Sequence, residues 1–183
     1  MHGYLIGKSG LTDVDKRHSF DLLMLPHMDA AWNLARWLMR NDHDAEDVVQ
    51  DAFVRAWRFY DGFHGSQSRP WLLAIVRNTA YSWMEKNRSG HEMPDDDRID
   101  ERVVEIGPEA LAIRGDEKRR LNVALDLLPA QYREVIVLRE LEDFSYREIA
   151  QIAAIPVGTV MSRLARGRKL LAGLLAAGQK ETM

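Results

Sequence analysis

The chain has 183 residues, 46% hydrophobic and 29% charged, which suits one or two domains with buried cores and excludes a chain disordered throughout. It contains no cysteine, which rules out disulfides and thiolate metal sites, and its six histidines are scattered without the paired helical spacing of a metal site. The net charge of −3 hides an uneven distribution: residues 91–115 carry a net of −5, residues 116–183 a net of +2, and from Thr159 to Lys180 every charged side chain is positive. A nucleic-acid backbone meets that local field, so the acidic total does not exclude it as a partner.

No strand-like alternation persists, which favours an all-α class. Residues 1–17 read as a loosely ordered N-terminal extension, with no apolar run long enough for a signal peptide. No stretch is long enough to span a membrane, so a cytoplasmic protein without membrane insertion is expected. Within residues 19–41 a helical period places Met28, Ala31, Trp32, Ala35, Leu38 and Met39 in register, with Pro26 at a break or a helix start. Residues 41–44 end that helix and cap the next. Over residues 44–60 Ala45, Val48, Val49, Ala52, Phe53, Ala56, Trp57 and Tyr60 must face a core. The opposite side holds Asp47, Gln50, Asp51, Val54 and Arg58. That stripe fits a solvated face or a docking surface for a basic helix, and spacing favours neither.

Residues 61–69 read as a loop, in which Phe63 is either a core plug or a stacking platform. A helix resumes over 70–87, with Pro70 in its first turn, Leu72, Ile75, Val76, Thr79, Ala80 and Trp83 inward, and Arg69, Arg77, Lys86 and Arg88 around them. Aromatic side chains interleaved with cations beside a glycine-containing loop suit single-stranded nucleic acid. The alternative is that Trp71 and Trp83 are core residues, and for Trp83 the core reading is preferred. Residues 89–115 read as a flexible acidic linker; the run Asp95–Asp97 solvates such a segment rather than holding a metal ion.

From residue 116 short helices return. Leu121, Ala124, Leu125 and Leu128 form one stripe, and Pro129 opens a helix with Tyr132, Val135, Ile136, Leu138 and Leu141. The stretch Ser145–Lys169 then reads as two helices joined by a tight turn. Ser145 with Glu148 three residues on forms a capping box, and Ile149, Ala150, Ile152 and Ala153 form the apolar stripe. Ile155 plugs the turn and Pro156 precedes the second helix, which turns Val160, Leu164, Leu170 and Leu171 inward. Thr159, Ser162, Arg163, Arg166, Arg168 and Lys169 remain for its polar side. This is the pattern of a helix-turn-helix with a basic recognition helix; the alternative is an ordinary helical hairpin with a solvated face.

Two motifs then coincide in order. DAEDVVQDAFVRAW with the following loop and PWLLAIVRNTAYSW resembles region two of bacterial sigma factors, and LPAQYREVIVLRELEDFSYREIAQIAAIPVGTVMSRLARGRKLL resembles their region four. The layout, with an acidic linker in place of region three, resembles the extracytoplasmic-function (ECF) sigma factors. The resemblance implies two small helical domains: region two over residues 18–88 and region four over 116–176, joined by the linker 89–115. It implies that Asp47, Gln50, Asp51 and Val54 grip the β′ clamp helices of the RNA polymerase core, with region four meeting the β flap. It implies that Phe63, His64, Gly65, Ser66, Gln67, Ser68, Trp71 and Asn78 capture a flipped base of the minus-ten element. Thr159, Ser162, Arg163, Arg166, Arg168 and Lys169 would contact the minus-thirty-five element, with Arg163 and Arg166 the leading candidates. An anti-sigma factor is an expected partner; no catalytic residue, metal or cofactor is expected. Met161, Ala165, Ala154 (for the frequent turn glycine) and Ser82 depart from the family pattern. A sigma-like decoy that sequesters an anti-sigma factor, or a stand-alone helix-turn-helix regulator, are the rival readings.

Overall fold

The computed structural model describes residues 13–87 and 117–180, and everything described is helix or short connection. The acidic linker, residues 89–115, lies outside the described residues. The first module holds α1 (Asp13–Met24), a 3-10 turn at Leu25–His27, α2 (Met28–Met39), α3 (Asp42–Phe59) and α4 (Ser68–Asn87). The second holds α5 (Glu117–Leu127), α6 (Ala130–Ile136), α7 (Tyr146–Ala153) and α8 (Val157–Lys180).

Helix α1 begins at Asp13, so residues 13–17 belong to the first module rather than to a loose extension. Lys16 anchors them, bonding to Asp61 at 2.7 Å and lying over the Trp57 ring at 4.8 Å. Pro26 sits in the 3-10 turn that separates α1 from α2, a position where a missing N–H costs nothing. The inward face of α2 is centred on Ala31, Leu34, Ala35 and Leu38; Met28, expected in register, is 38% exposed. Asn41 caps α3, its side-chain oxygen accepting from the N–H groups of His43 and Asp44. Ala45, Val48, Val49, Ala52 and Ala56 carry α3 into the core as the period requires.

Helix α4 is apolar around much of its circumference. The reason is that α2 and α3 cover one side of it and α7 covers another. A single hydrophobic core therefore runs from Phe20 of the first module to Leu164 of the second.

Helix α6 is only seven residues long, yet Tyr132, Arg133, Glu134, Val135 and Ile136 are all buried, because it lies between α8 and the first module. It continues into a π-turn over Val137–Leu141, closed by Glu142 N–H to the Val137 carbonyl at 3.1 Å. The wider turn redirects the chain, leaving Leu141 45% exposed and turning Glu142 inward. On α8 the inward positions are Val160, Leu164 and Gly167, with Leu171 half-buried; Leu170, expected inward, is 41% exposed. Gly167 holds its place because α6 passes so close that a Cβ there would meet Ile136 Cδ1 at 2.9 Å.

Candidate nucleic-acid interface

Three surfaces carry the side chains singled out from the sequence. The first is the outer face of α3. Asp47, Gln50, Asp51 and Val54 are all exposed, and Asp51 pairs with Arg55 at 2.9 Å along the helix. His43 stands 3.8 Å from Asp47. Val54 is 49% exposed, an apolar side chain set among the carboxylates of this face.

The second surface is a shallow pocket of about 370 Å³ lined by Gly62, Phe63, His64, Gly65, Ser66, Gln67 and Trp71. Its floor is built from a chain of aromatic contacts. Phe20 meets Phe53, Trp57 and Tyr60 edge-on; Tyr60 stacks toward Phe63 at 6.3 Å, and Phe63 tilts against Trp71 at 4.8 Å. Each such pair adds to its area burial about 0.5–1.5 kcal/mol. Ser19 fixes the Tyr60 hydroxyl at 2.7 Å. Phe63 is therefore a plug whose ring edge reaches the pocket, being only 6% exposed. Ser68 is outside the lining: its hydroxyl meets His27 Nε2 at 2.9 Å. Burial, followed by the charge of Arg69, lowers the His27 pKa. Asn78 lies on the same side of α4 as Trp71 but about 10.5 Å along the axis, exposed and within 3.4 Å of Arg77. The pocket thus gathers Phe63 to Gln67 with Trp71, and leaves Ser68 and Asn78 apart. Gly62 and Phe20 carry no site signal in the sequence, where they look like ordinary loop and core positions; Tyr60, a core position by its period, is the buttress that links Phe20 to Phe63.

The third surface is the helix-turn-helix. Ser145 caps α7 reciprocally with Glu148: the Glu148 N–H donates to Ser145 Oγ at 3.3 Å, and Glu148 Oε2 accepts from the Ser145 N–H at 2.8 Å. Hydrogen bonds from Ser145 hold the Glu148 carboxyl below its ordinary range. The turn is a Schellman-type reversal, with the Ile155 N–H donating to the Ala150 carbonyl at 3.1 Å and Ala154 left-handed at φ 54°. Arg139 braces the approach to α7 through a 2.8 Å bond to the Phe144 carbonyl.

The cations of α8 do not all share one side. Ser162, Arg166 and Lys169 are exposed, together with Met161 and Ala165, and Thr159 is half-buried. Arg168 is exposed but pairs with Glu140 at 2.6 Å. Arg163 departs from the expected polar face: it is 9% exposed, and its charge acts on Glu134 and Tyr81. Its position explains this, three residues after Val160 and four before Gly167, on the buried side of the helix. As the module stands, Arg166 and Lys169 are the outward cations of the recognition helix.

Between the modules lies a set of polar contacts that sequence periodicity gave no sign of. Glu134, wholly buried, accepts from Arg77 Nε at 2.7 Å and from the Tyr81 hydroxyl at 3.1 Å. Complete burial holds the Glu134 carboxyl above its ordinary range against the pull of Arg77. Arg77, still partly in water, is held more basic by Glu134 despite its own burial. For the carboxylate burial outweighs its partners; for the guanidinium burial is again the largest single effect, but the charges and hydrogen bonds of Glu134 and Tyr81 together exceed it. Glu142 accepts from Asn33 at 3.0 Å and Arg69 at 2.6 Å, and Arg69 also lies 4.3 Å over the Phe144 ring. Arg133 is 2% exposed, donates to the Asp126 carbonyl at 3.0 Å, and has its pKa lowered to about 10 by burial and by Arg40.

An acidic face on α3, an aromatic pocket and a capped helix-turn-helix on two helical modules are the features of a bipartite nucleic-acid-binding fold. The family descriptions "Sigma-70 region 2" and "Sigma-70, region 4" match residues 23–90 and 118–171. The chain is 34% identical over 166 residues to the ECF RNA polymerase sigma factor SigE of Mycolicibacterium smegmatis, across 90% of this chain and 64% of that one. It is 32% identical over 168 residues to the RNA polymerase sigma-H factor of Pseudomonas aeruginosa, across 86% of each. The fold matches the sigma factor RpoE, solved with the anti-sigma factor NepR from Bartonella quintana, with a TM-score of 0.67 and 32% identity over 86% of this chain and 97% of that one. The chain belongs to the ECF RNA polymerase sigma factors. Among the described residues, no helix is long and apolar enough to cross a membrane.

Proposed function

We propose that this chain joins RNA polymerase core through the α3 face, opens and holds the minus-ten element at the aromatic pocket, and reads the minus-thirty-five element with α8. It catalyses nothing itself and works in the cytoplasm, where the polymerase is. The observation that carries the reading is the pocket of Phe63–Gln67 and Trp71, stacked on aromatic residues of α1 and α3. Its volume falls in the range of small-ligand clefts, and a flipped base entering it exchanges stacking in the duplex for stacking on Trp71 and hydrogen bonds to the exposed loop. The exposed Asp47, Gln50, Asp51 and Val54 offer carboxylates around an apolar centre, which suits a basic helical partner. Arg166 and Lys169 supply phosphate contacts, and Thr159 and Ser162 stand at the helix start where base edges come within reach. An anti-sigma factor, as in the RpoE–NepR complex, is the expected restraint on this activity.

The test is run-off transcription with purified core polymerase on a template carrying the region upstream of this protein's own gene. A discrete transcript that needs the protein, and that disappears with Asp51→Arg while circular dichroism is unchanged, supports the reading. Core binding that survives Asp51→Arg would remove the docking-face assignment. Stable core binding without a transcript from that template or from a random-promoter selection would favour a decoy.

A further inference from the structure

The outward face of α8 opens on apolar side chains. Val157 and Met161 are 39% and 54% exposed, and Ala165 is exposed one turn further on. Spaced four residues apart, they form one row down the helix that advances about 6 Å at each step. Beside it runs the row of Gly158, Ser162 and Arg166. A Cβ at Gly158 would meet nothing within 4 Å, so the space in front of this turn is open. Ser162 donates its hydroxyl to the Thr159 carbonyl at 3.0 Å. Among the described exposed side chains from Val157 to Ala165, none carries the guanidinium, ammonium, amide or carboxylate that reads base edges best by hydrogen bonding. Arg163 falls in this stretch but is turned to the buried side.

Single apolar side chains are ordinary on a protein surface. Three in one row, on the opening turns of a recognition helix, occupy the part of such a helix that meets base edges. Cations follow on both rows, Arg166 after Ser162 and Lys169 after Ala165, and α8 has no acidic side chain. That field draws a phosphate backbone, and the apolar row then faces the apolar group of the major groove, the C5-methyl of thymine. We infer that Met161, with Val157 and Ala165 in its row, selects thymine in the minus-thirty-five element by contact with C5-methyl groups. The inference rests on the proposed function for the placement of α8 in the groove and adds what is read there. Met161 is unbranched and polarizable, so it moulds itself to a methyl group at van der Waals distance. Ala165 is short and lets the helix come close. The step of about 6 Å along the row exceeds the rise of about 3.4 Å per base pair, so its members meet separate base pairs.

Core polymerase loaded with the full-length protein and given a random duplex library should recover an upstream element with thymine at one or two fixed positions. Each such thymine is then replaced by deoxyuridine, which keeps every hydrogen-bonding group and lacks only the methyl. Wild type should bind the substituted duplex about fourfold more weakly at the position met by Met161, the worth of burying one methyl group. Met161→Ala should bind the two duplexes alike, with the salt dependence of wild type, because no charge is lost. Met161 is more than half exposed, so its truncation leaves the core intact. Arg166→Ala should do the reverse, with a shallower salt dependence and an undiminished preference for thymine. Wild-type affinity that is indifferent to every replacement overturns the inference and leaves the proposed function standing. A Met161→Ala variant that keeps the thymine preference overturns it too; if that variant instead weakens core binding, the row docks protein. A library that yields no upstream element refutes α8 as a promoter reader, and the inference falls with it.

Discussion

Two glycines of α8, Gly167 and Gly173, turn one substitution into a test of the α6–α8 packing. Alanine in place of glycine inside a helix is favourable by about 1 kcal/mol, from the conformational freedom glycine loses on folding. At Gly173 a Cβ meets nothing within 4 Å, so Gly173→Ala should stabilise by roughly 0.5–1 kcal/mol. At Gly167 the same Cβ lies 2.9 Å from Ile136 Cδ1 and 3.3 Å from Tyr132 Cβ. The isoleucine tip has some freedom to turn, but Ile136 is 3% exposed and has little room, and Tyr132 Cβ is fixed to its backbone. Overpacking of this kind costs about 1–3 kcal/mol, so the helix gain is outweighed and Gly167→Ala should destabilise by about 1 kcal/mol net. Thermal unfolding followed by circular dichroism should show midpoints moving in opposite directions, by about 2–4 °C per kcal/mol for a chain of this size. A Gly167→Ala midpoint that rises alongside that of Gly173→Ala would refute the close approach of α8 to α6.

Ala154→Gly, at a turn residue with φ 54°, should raise stability by about 1 kcal/mol in the same assay, because the left-handed conformation costs an alanine about that much. Ser145→Ala removes the α7 cap and should cost about 1 kcal/mol. The Glu148 carboxyl is held below its ordinary pKa in the folded state, so its contribution is present above the ordinary carboxylate value and lost as pH falls through the depressed one; denaturant midpoints of Ser145→Ala measured across that window should show a shallower acid decline than wild type. Arg166→Ala with Lys169→Ala should reduce the dependence of promoter affinity on salt by about two counterions, measured as the slope of log affinity against log salt; an unchanged slope would remove both from the phosphate contacts.

Local rules located what local forces determine. The capping box of Ser145 and Glu148, the Asn41 cap region, the start of α8 behind Pro156 and the inward stripe of α3 all follow from residues within a turn of one another. Ala154 stands out in the sequence only as a replacement for a frequent turn glycine, and the backbone there takes the positive φ that glycine would favour. Periodicity failed where a helix is covered on more than one side. In α6 periodicity points to Tyr132, Val135 and Ile136 as the inward set, yet Arg133 and Glu134 are buried beside them because the first module lies over the helix. Arg163 was assigned to the polar side of α8 because it is charged, although its spacing from Val160 and Gly167 puts it with the core. The inward set of α8 was read from its leucines, which favoured Leu170; the residue that controls the approach is Gly167, and a side chain of no size leaves no hydrophobic signal.

The failures of periodicity fall on the boundary between the two modules. Arg69, Arg77, Glu134, Glu142 and Arg163 are the side chains whose polarity disagrees with their burial or whose charge is taken up across the module boundary. A fold meant to stay closed would be no less stable with well-packed apolar residues there, since replacing buried ion pairs by hydrophobic groups of similar volume is often neutral or favourable. The boundary is largely apolar all the same, since one hydrophobic core runs from Phe20 to Leu164, so its stability does not depend on these charges; the buried carboxylates fix which side chains of α4 meet α6 and the π-turn.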